Sequence, residues 1–202
     1  NRLHTSILTA PDYYMMSENT DAEGTNNNSI TSYDSDGFTL GNTDNGWNGS
    51  YNYVSWNWKA AGTSGSSNSD GSITSTVQAN TTAGFSIVTF SGNTTAGATV
   101  GHGLGVAPKY IQVRRYDRDG DAWRGFWEPL GNEKYMELNA TDAIQDSANG
   151  AWNDTSPTNS VFSLGGAAGI NGGSMIAYCF APIQGYSDIG SYEGTGETEG
   201  PF

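Results

Sequence analysis

The chain has 202 residues, 14% of them charged, and a formal net charge of −13. That length allows one large β domain or two small ones, with a real core in either case. The charge balance lacks the clustered Lys and Arg that hold phosphates, so no nucleic-acid partner is expected. No apolar run approaches the ~18 residues of a membrane span, so no membrane insertion is expected.

Strand signals follow one another along the chain. Tyr51-Asn52-Tyr53-Val54-Ser55-Trp56-Asn57-Trp58 alternates, which places Val54, Trp56 and Trp58 on one face expected to lie in the core. The stretch after it is rich in Gly, Ser, Thr and Asn and reads as a flexible linker or long surface loop. Residues 85–90 form a short β-rich run. Gly101-His102-Gly103-Leu104-Gly105 lacks the glycine spacing and following helix of a dinucleotide loop, and Pro108 and a strand follow it, so it reads as a turn. In 109–113, Ile111 and Val113 share a face. Asp119-Gly120 then predicts a hairpin leading into a run at 122–127. Arg114, Arg115 and Arg118, with Asp117, Asp119 and Asp121, are expected at its solvated tip. Residues 140–146 are the one helix candidate, and 174–180 is a further strand. Each run is bounded by Gly, Asn, Asp or Ser. An aromatic content of 12% argues for a folded chain.

Blocks of sequence recur in the same order. Tyr14-Met15 followed by Thr20-Asp21-Ala22 matches Tyr135-Met136 followed by Thr141-Asp142-Ala143, an offset of 121. Phe38-Thr39-Leu40-Gly41 matches Phe162-Ser163-Leu164-Gly165 at 124, and Val54-x-Trp56-x-Trp58 matches Ile176-x-Tyr178-x-Phe180 at 122. Gly84-Phe85-Ser86 matches Gly185-Tyr186-Ser187, and Phe90-Ser91-Gly92 matches Tyr192-Glu193-Gly194. The expected organisation is therefore tandem. Residues 1–60 are the C-terminal half of a first β-sandwich unit, 61–82 a linker or long loop, 83–182 a complete unit, and 183–202 the opening strand of a following one. Two copies of one sheet-forming unit should bury equivalent faces, with Trp56 and Tyr178 in like surroundings. A half sandwich cannot bury its apolar face alone, so residues 1–60 are expected to need strands from a longer chain or from a neighbour.

Gly71-Ser72-Ile73-Thr74-Ser75, Ala83-Gly84-Phe85-Ser86-Ile87-Val88-Thr89-Phe90 and Ala98-Thr99-Val100 occur in order. Directly after them comes the most specific segment, Gly101-His102-Gly103-Leu104-Gly105-Val106-Ala107-Pro108-Lys109. Together with Ile176-Ala177-Tyr178-Cys179-Phe180-Ala181 and Gly185-Tyr186-Ser187, these segments resemble a β-rich domain repeated in large tail-fibre and other virion proteins of marine tailed phages. The resemblance covers nearly the whole chain. It implies an all-β, antiparallel sandwich of jelly-roll or concanavalin-like type and a structural role in the virion, outside the cell. Strand edges must be covered, so the expected partners are other virion proteins or further copies of the chain in a homo-oligomer, and a host-surface glycan is the expected ligand. The resemblance carries no catalytic residues and no cofactor. Gln112 departs from a more apolar family position and is expected on an exposed face.

The motifs for chemistry lead to the same non-enzymatic reading. Asp117-Arg118-Asp119-Gly120-Asp121 and Tyr33-Asp34-Ser35-Asp36-Gly37 lack the spacing of a calcium loop. One cysteine, Cys179, with His4 and His102 far apart, makes no zinc set and no intramolecular disulfide. No Gly-x-Ser-x-Gly elbow marks a nucleophile. Glu128 beside Trp127 is the nearest approach to a sugar-cleaving carboxylate, but a polysaccharide-degrading enzyme needs a second one 5–10 Å away, on the order given by known glycosidases. For the alternative of a carbohydrate-binding module, Trp47, Tyr51, Trp123 and Trp152 lie in or near predicted turns and are the candidate glycan platform.

Overall fold

The computed structural model describes residues 2–8, 10–41, 46–61, 64–147 and 150–196. It is all-β and antiparallel. The N-terminal region holds a meander of β1 (Arg2–His4), β2 (Tyr13–Met16) and β3 (Gly24–Thr25), then a hairpin of β4 (Ile30–Tyr33) and β5 (Phe38–Leu40). The body consists of β6 (Ser66–Asn68), β7 (Ser75–Asn80), β8 (Phe85–Asn93), β9 (Ala98–Gly101), β10 (Tyr110–Arg115), β11 (Arg124–Trp127), β12 (Lys134–Glu137), β13 (Gln145–Asp146), β14 (Val161–Leu164) and β15 (Gly172–Phe180). Eight strands form one sheet in the order β13-β12-β11-β10-β15-β8-β7-β6, while β9 and β14 pair with each other.

The sheet is buried on both faces. Along β15, Met175, Ala177 and Cys179 meet Val88, Phe90, Ile111 and Val113 on one face, under Val100, Phe162 and Leu164 of the β9–β14 pair. The intervening Ile176 and Tyr178 join Phe85, Ile87 and Trp123 on the other, where Met15 and Ala60 come down from the N-terminal region. Successive side chains of a strand point to opposite faces. A strand buried on both sides therefore reads as a nearly continuous apolar run, as 175–181 does. Each such side chain contributes roughly 1.5–3 kcal/mol of burial.

The second face also carries polar side chains that fasten the N-terminal layer. The Arg114 guanidinium donates to the carbonyls of Met16 (3.0 Å) and Asp21 and lies 5.2 Å from the Trp123 ring centre. The Trp123 indole N–H donates to the same Met16 carbonyl at 2.8 Å. Gln78 Oε1 accepts from the Ser6 hydroxyl at 2.8 Å.

Several expectations are corrected here. The stretch 61–82 is not wholly linker, because β6 and β7 within it join the main sheet, with Ser66↔Val77 and Val77↔Val88 in register. Its Ser, Thr and Asn pair through the backbone, while Val77 supplies the core contact. The helix candidate 140–146 contains no helix and ends in β13. Gln112 is buried, because its face of the sheet is covered, and its Oε1 accepts from the Tyr110 hydroxyl. Arg114 is fully buried rather than at a solvated tip. The Asp119-Gly120 turn does connect β10 to β11, with Gly120 at φ +87°.

The sequence offsets coincide with matched pairing. In the N-terminal meander Arg2↔Met16, Leu3↔Met15, Tyr14↔Gly24 and Tyr13↔Thr25 are partners. In β11–β12–β13 the partners are Arg124↔Glu137, Gly125↔Met136, Tyr135↔Gln145 and Lys134↔Asp146, each residue 121 or 122 positions further on. Backbone bonds from Asn26 N to Asp12 O (3.1 Å), Gly41 N to Ser29 O (2.8 Å) and Asp34 N to Gly37 O (2.9 Å) have counterparts at offsets of 121 to 124. These run from Ser147 N to Glu133 O (2.6 Å), Gly165 N to Ala151 O (2.7 Å) and Thr158 N to Val161 O (2.9 Å). The Arg2 guanidinium sits 5.0 Å over Tyr14, and Arg124 sits 5.6 Å over Tyr135.

The regions part company at 51–58. No β ladder among the described residues includes this segment, and Trp56 is 72% exposed whereas Tyr178 is 7% exposed. The expectation that Val54, Trp56 and Trp58 lie in the core is therefore corrected. The reason is local: β15 lies between β8 and β10, and no strand among the described residues flanks 51–58.

Candidate functional site

At one end of the second face the sheet opens into a cleft of about 710 Å³. Phe85 and Phe180, opposite each other on β8 and β15, form its floor with ring centres 4.8 Å apart. Tyr110 packs 5.7 Å from Phe180 and 4.8 Å from Trp127. Burial pushes the Tyr110 hydroxyl up to about 12, so it stays protonated as a donor. Trp58 meets Phe180 edge-on at 6.3 Å and is 56% exposed; Tyr186, which also lines the cleft, is 74% exposed.

The polar rim carries Lys59 and Asp188. Lys109 pairs with Asp188 at 3.2 Å, and a backbone bond from Ile189 together with Lys109 holds the Asp188 carboxyl below its usual range. Arg115, Arg118, Arg124 and Lys134 are also paired with carboxylates, and Arg2 and Arg114 lie against aromatic rings. Lys59, exposed in the cleft wall beside Trp58, has neither kind of partner among the described residues.

The structure does not bring the four sequence-predicted platform residues together. Trp123 and Trp152 are each 1% exposed, because each indole N–H reaches a backbone carbonyl: Met16 for Trp123 and Lys134 (3.0 Å) for Trp152. Trp47 is half-buried, 4.4 Å edge-on to His4 and under the Arg2 guanidinium at 5.0 Å. Tyr51 alone is exposed as a platform residue should be. Sequence reasoning passed over Lys59, Tyr110 and Tyr186 as site residues and assigned Trp58 to the core. The matched blocks that contain Trp58 and Tyr186 were the available signal.

The acidic loop after β10 is engaged within the protein. Asp121 pairs with Arg118 at 2.8 and 2.9 Å, Asp117 binds Arg115 and the Ser174 N–H, and Asp119 accepts from Ala22 N–H at 2.6 Å. Cys179 is packed in the core, where burial pushes its thiol up to about 12. His102 is also buried, its Nδ1 accepting from Leu104 N–H at 3.2 Å and its Nε2 3.2 Å from the Thr158 carbonyl, which stiffens the glycine-rich turn. Glu128 is exposed at the start of a 3-10 turn. Among the described residues no group of three or more His, Cys, Asp or Glu is gathered as metal ligands, and no helix is long and apolar enough to cross a membrane.

A model of a domain family of unknown function, DUF7483, matches residues 2–202. No curated protein and no solved structure matches the chain.

Proposed function

The chain belongs to the DUF7483 family, and we propose that it is a non-enzymatic structural and recognition module of a tailed-phage virion, serving as fibre, spike or decoration. In this reading it is built from a repeated β-sandwich unit of jelly-roll or concanavalin-like type, present here as a half and a whole. The matched register of β1–β2–β3 and β11–β12–β13 supports the repeat. Apolar cores on both faces of the main sheet support a layered sandwich. The observation that carries the role is the 51–58 segment, which has the side chains of a buried strand and no strand beside it. Exposed Val54, Trp56 and Trp58 in so polar a chain mark an assembly surface. Antibodies raised against the chain should decorate the exterior of purified tailed particles from the culture that encodes it. Particles free of the chain by labelling and by mass spectrometry would overturn the proposal.

The cleft favours a second, narrower reading, binding of a saccharide that carries a carboxylate. Pyranose rings stack on exposed aromatic faces such as Trp58 and Tyr186, and Lys59, with no ion-pair partner among the described residues, lines the same cleft. Tryptophan fluorescence should respond to uronic-acid oligosaccharides more than to neutral ones. Lys59→Gln should weaken binding by roughly two- to fivefold, the scale of an exposed charge pair. Equal response to both sugar classes, or to neither, would count against it.

A further inference from the structure

We infer that the outer face of β1–β2 binds a small carboxylate, with the Arg2 guanidinium as its fork and Tyr14 and Trp47 as its walls. The site is separate from the cleft and independent of the virion role.

Arg2, His4, Tyr14 and Met16 share this face, because β1 and β2 turn Leu3 and Met15 the other way, into the core. Trp47 packs against them, its ring centre 4.4 Å from His4 and 6.4 Å from Tyr14. The Arg2 guanidinium sits in the corner so formed, 5.0 Å from the centres of the Tyr14 and Trp47 rings. Contact with two rings orders this cation before any anion arrives, which lowers the entropy cost of binding one.

The matched position in the body shows what such an arginine takes. Arg124 stands 122 residues further on, over Tyr135, and its Nε lies 3.4 Å from Oε1 of Glu137. Glu137 is the cross-strand partner of Arg124, as Met16 is of Arg2. The N-terminal meander therefore keeps the cation and the ring and lacks the carboxylate. Among the described residues Arg2 has no ion pair and no side-chain hydrogen bond. Its Nη1 is enclosed without a partner, as are Nε1 of Trp47 and Nε2 of His4. Nε and Nη2 of Arg2 are not enclosed, and that edge can give a carboxylate two parallel hydrogen bonds. His4 donates through Nδ1 to the Pro11 carbonyl at 3.0 Å, and burial pulls its pKa down, so the positive charge of the corner is that of Arg2. With three nitrogens already closed off and one guanidinium edge open, the corner suits a small planar anion rather than a further strand.

The test follows the Arg2 Nε–H and Trp47 indole N–H signals by NMR in the full chain. Sodium acetate and sodium glucuronate are titrated separately, against sodium chloride at matched ionic strength. Acetate should move both signals along one saturating curve, and chloride should not. Saturation by glucuronate as well would extend the site to acidic sugars, and saturation by acetate alone would confine it to smaller carboxylates. Met16→Glu supplies the missing carboxylate from within and leaves in place the Met16 main-chain carbonyl that Arg114 and Trp123 use. It should shift the Arg2 signal without ligand and weaken acetate binding by roughly tenfold. Arg2→Lys keeps the charge without the fork and should weaken binding by about two- to fivefold, read at Trp47. Signals that follow chloride as closely as acetate, or that drift without saturating, overturn the inference. So does undiminished acetate binding in Met16→Glu or in Arg2→Lys. Because the signals belong to Arg2 and Trp47, binding in the cleft does not enter the reading.

Discussion

Residues 172–180 and 51–58 carry the same period-two pattern of aromatic and aliphatic side chains, yet one is the centre of an eight-stranded sheet and the other is exposed on both sides. The difference lies in their neighbours. β15 has β8 and β10 alongside and a packed layer on each face, so its pattern is used twice over. The 51–58 segment follows a meander that matches β11–β12–β13 in register, but no strand among the described residues plays the part of β8 or β10 beside it. A strand pattern is a capacity to be buried, and only a flanking ladder turns it into burial.

The sharpest break in this comparison comes from equivalent substitutions. Ile176→Ala in β15 should cost about 2–5 kcal/mol by urea denaturation, as a fully buried aliphatic truncation does. Its counterpart Val54→Ala should change the stability of the monomer by less than about 0.5 kcal/mol. Comparable losses at both sites would mean that 51–58 is buried after all.

Arg114→Met tests how the N-terminal half is held on the second face. It leaves the Met16 and Asp21 carbonyls without their charged donor, at a cost of about 1.5–3 kcal/mol. Limited proteolysis should then cut first within residues 2–41. A smaller effect comes from the two cations at matched positions, Arg2 over Tyr14 and Trp47, and Arg124 over Tyr135 with Glu137 beside it. Arg2→Gln and Arg124→Gln should each lower stability by about 0.5–1 kcal/mol. Equal values in thermal melts would support equivalence of the two meanders.

The smallest effect is pH dependence. Burial lowers the pKa of both His102 and His4 below the ordinary value of 6.5. The unfolded chain therefore takes up protons as pH falls through about 6.5, while the folded chain does not. Their contribution is fully present above that pH and is lost as pH drops toward the depressed folded values. The melting temperature should fall between about pH 7.5 and about pH 5, and less steeply in His102→Gln. An increase in stability over that interval would contradict burial of the neutral imidazoles.

The all-β class and the strands near 85–90, 109–113, 122–127 and 174–180 were legible because their apolar side chains are close together in sequence and buried in the sheet. β6 and β7 were hidden because a strand that carries Ser75, Thr76, Gln78 and Asn80 around Val77 has the composition of a loop. Their membership depends on backbone pairing to a segment that only the fold identifies. Trp123 and Trp152 looked like surface residues from their neighbouring turns, and the carbonyls that receive their indole N–H groups lie 107 and 18 residues away. Arg114 was misplaced for the same reason, since its partners lie 98 and 93 residues back. The cleft was legible only in part. The recurring blocks pointed to Trp58 and Tyr186, but periodicity alone cannot reveal that a strand has no neighbour.

Amide hydrogen exchange as a function of protein concentration tests the account most directly. Amides of 172–180 should be protected at every concentration, whereas those of 51–58 should exchange freely in dilute protein and become protected as the chain assembles. Protection of 51–58 in the dilute monomer, or free exchange there in the assembled state, would contradict the view that it is a strand lacking only its neighbours.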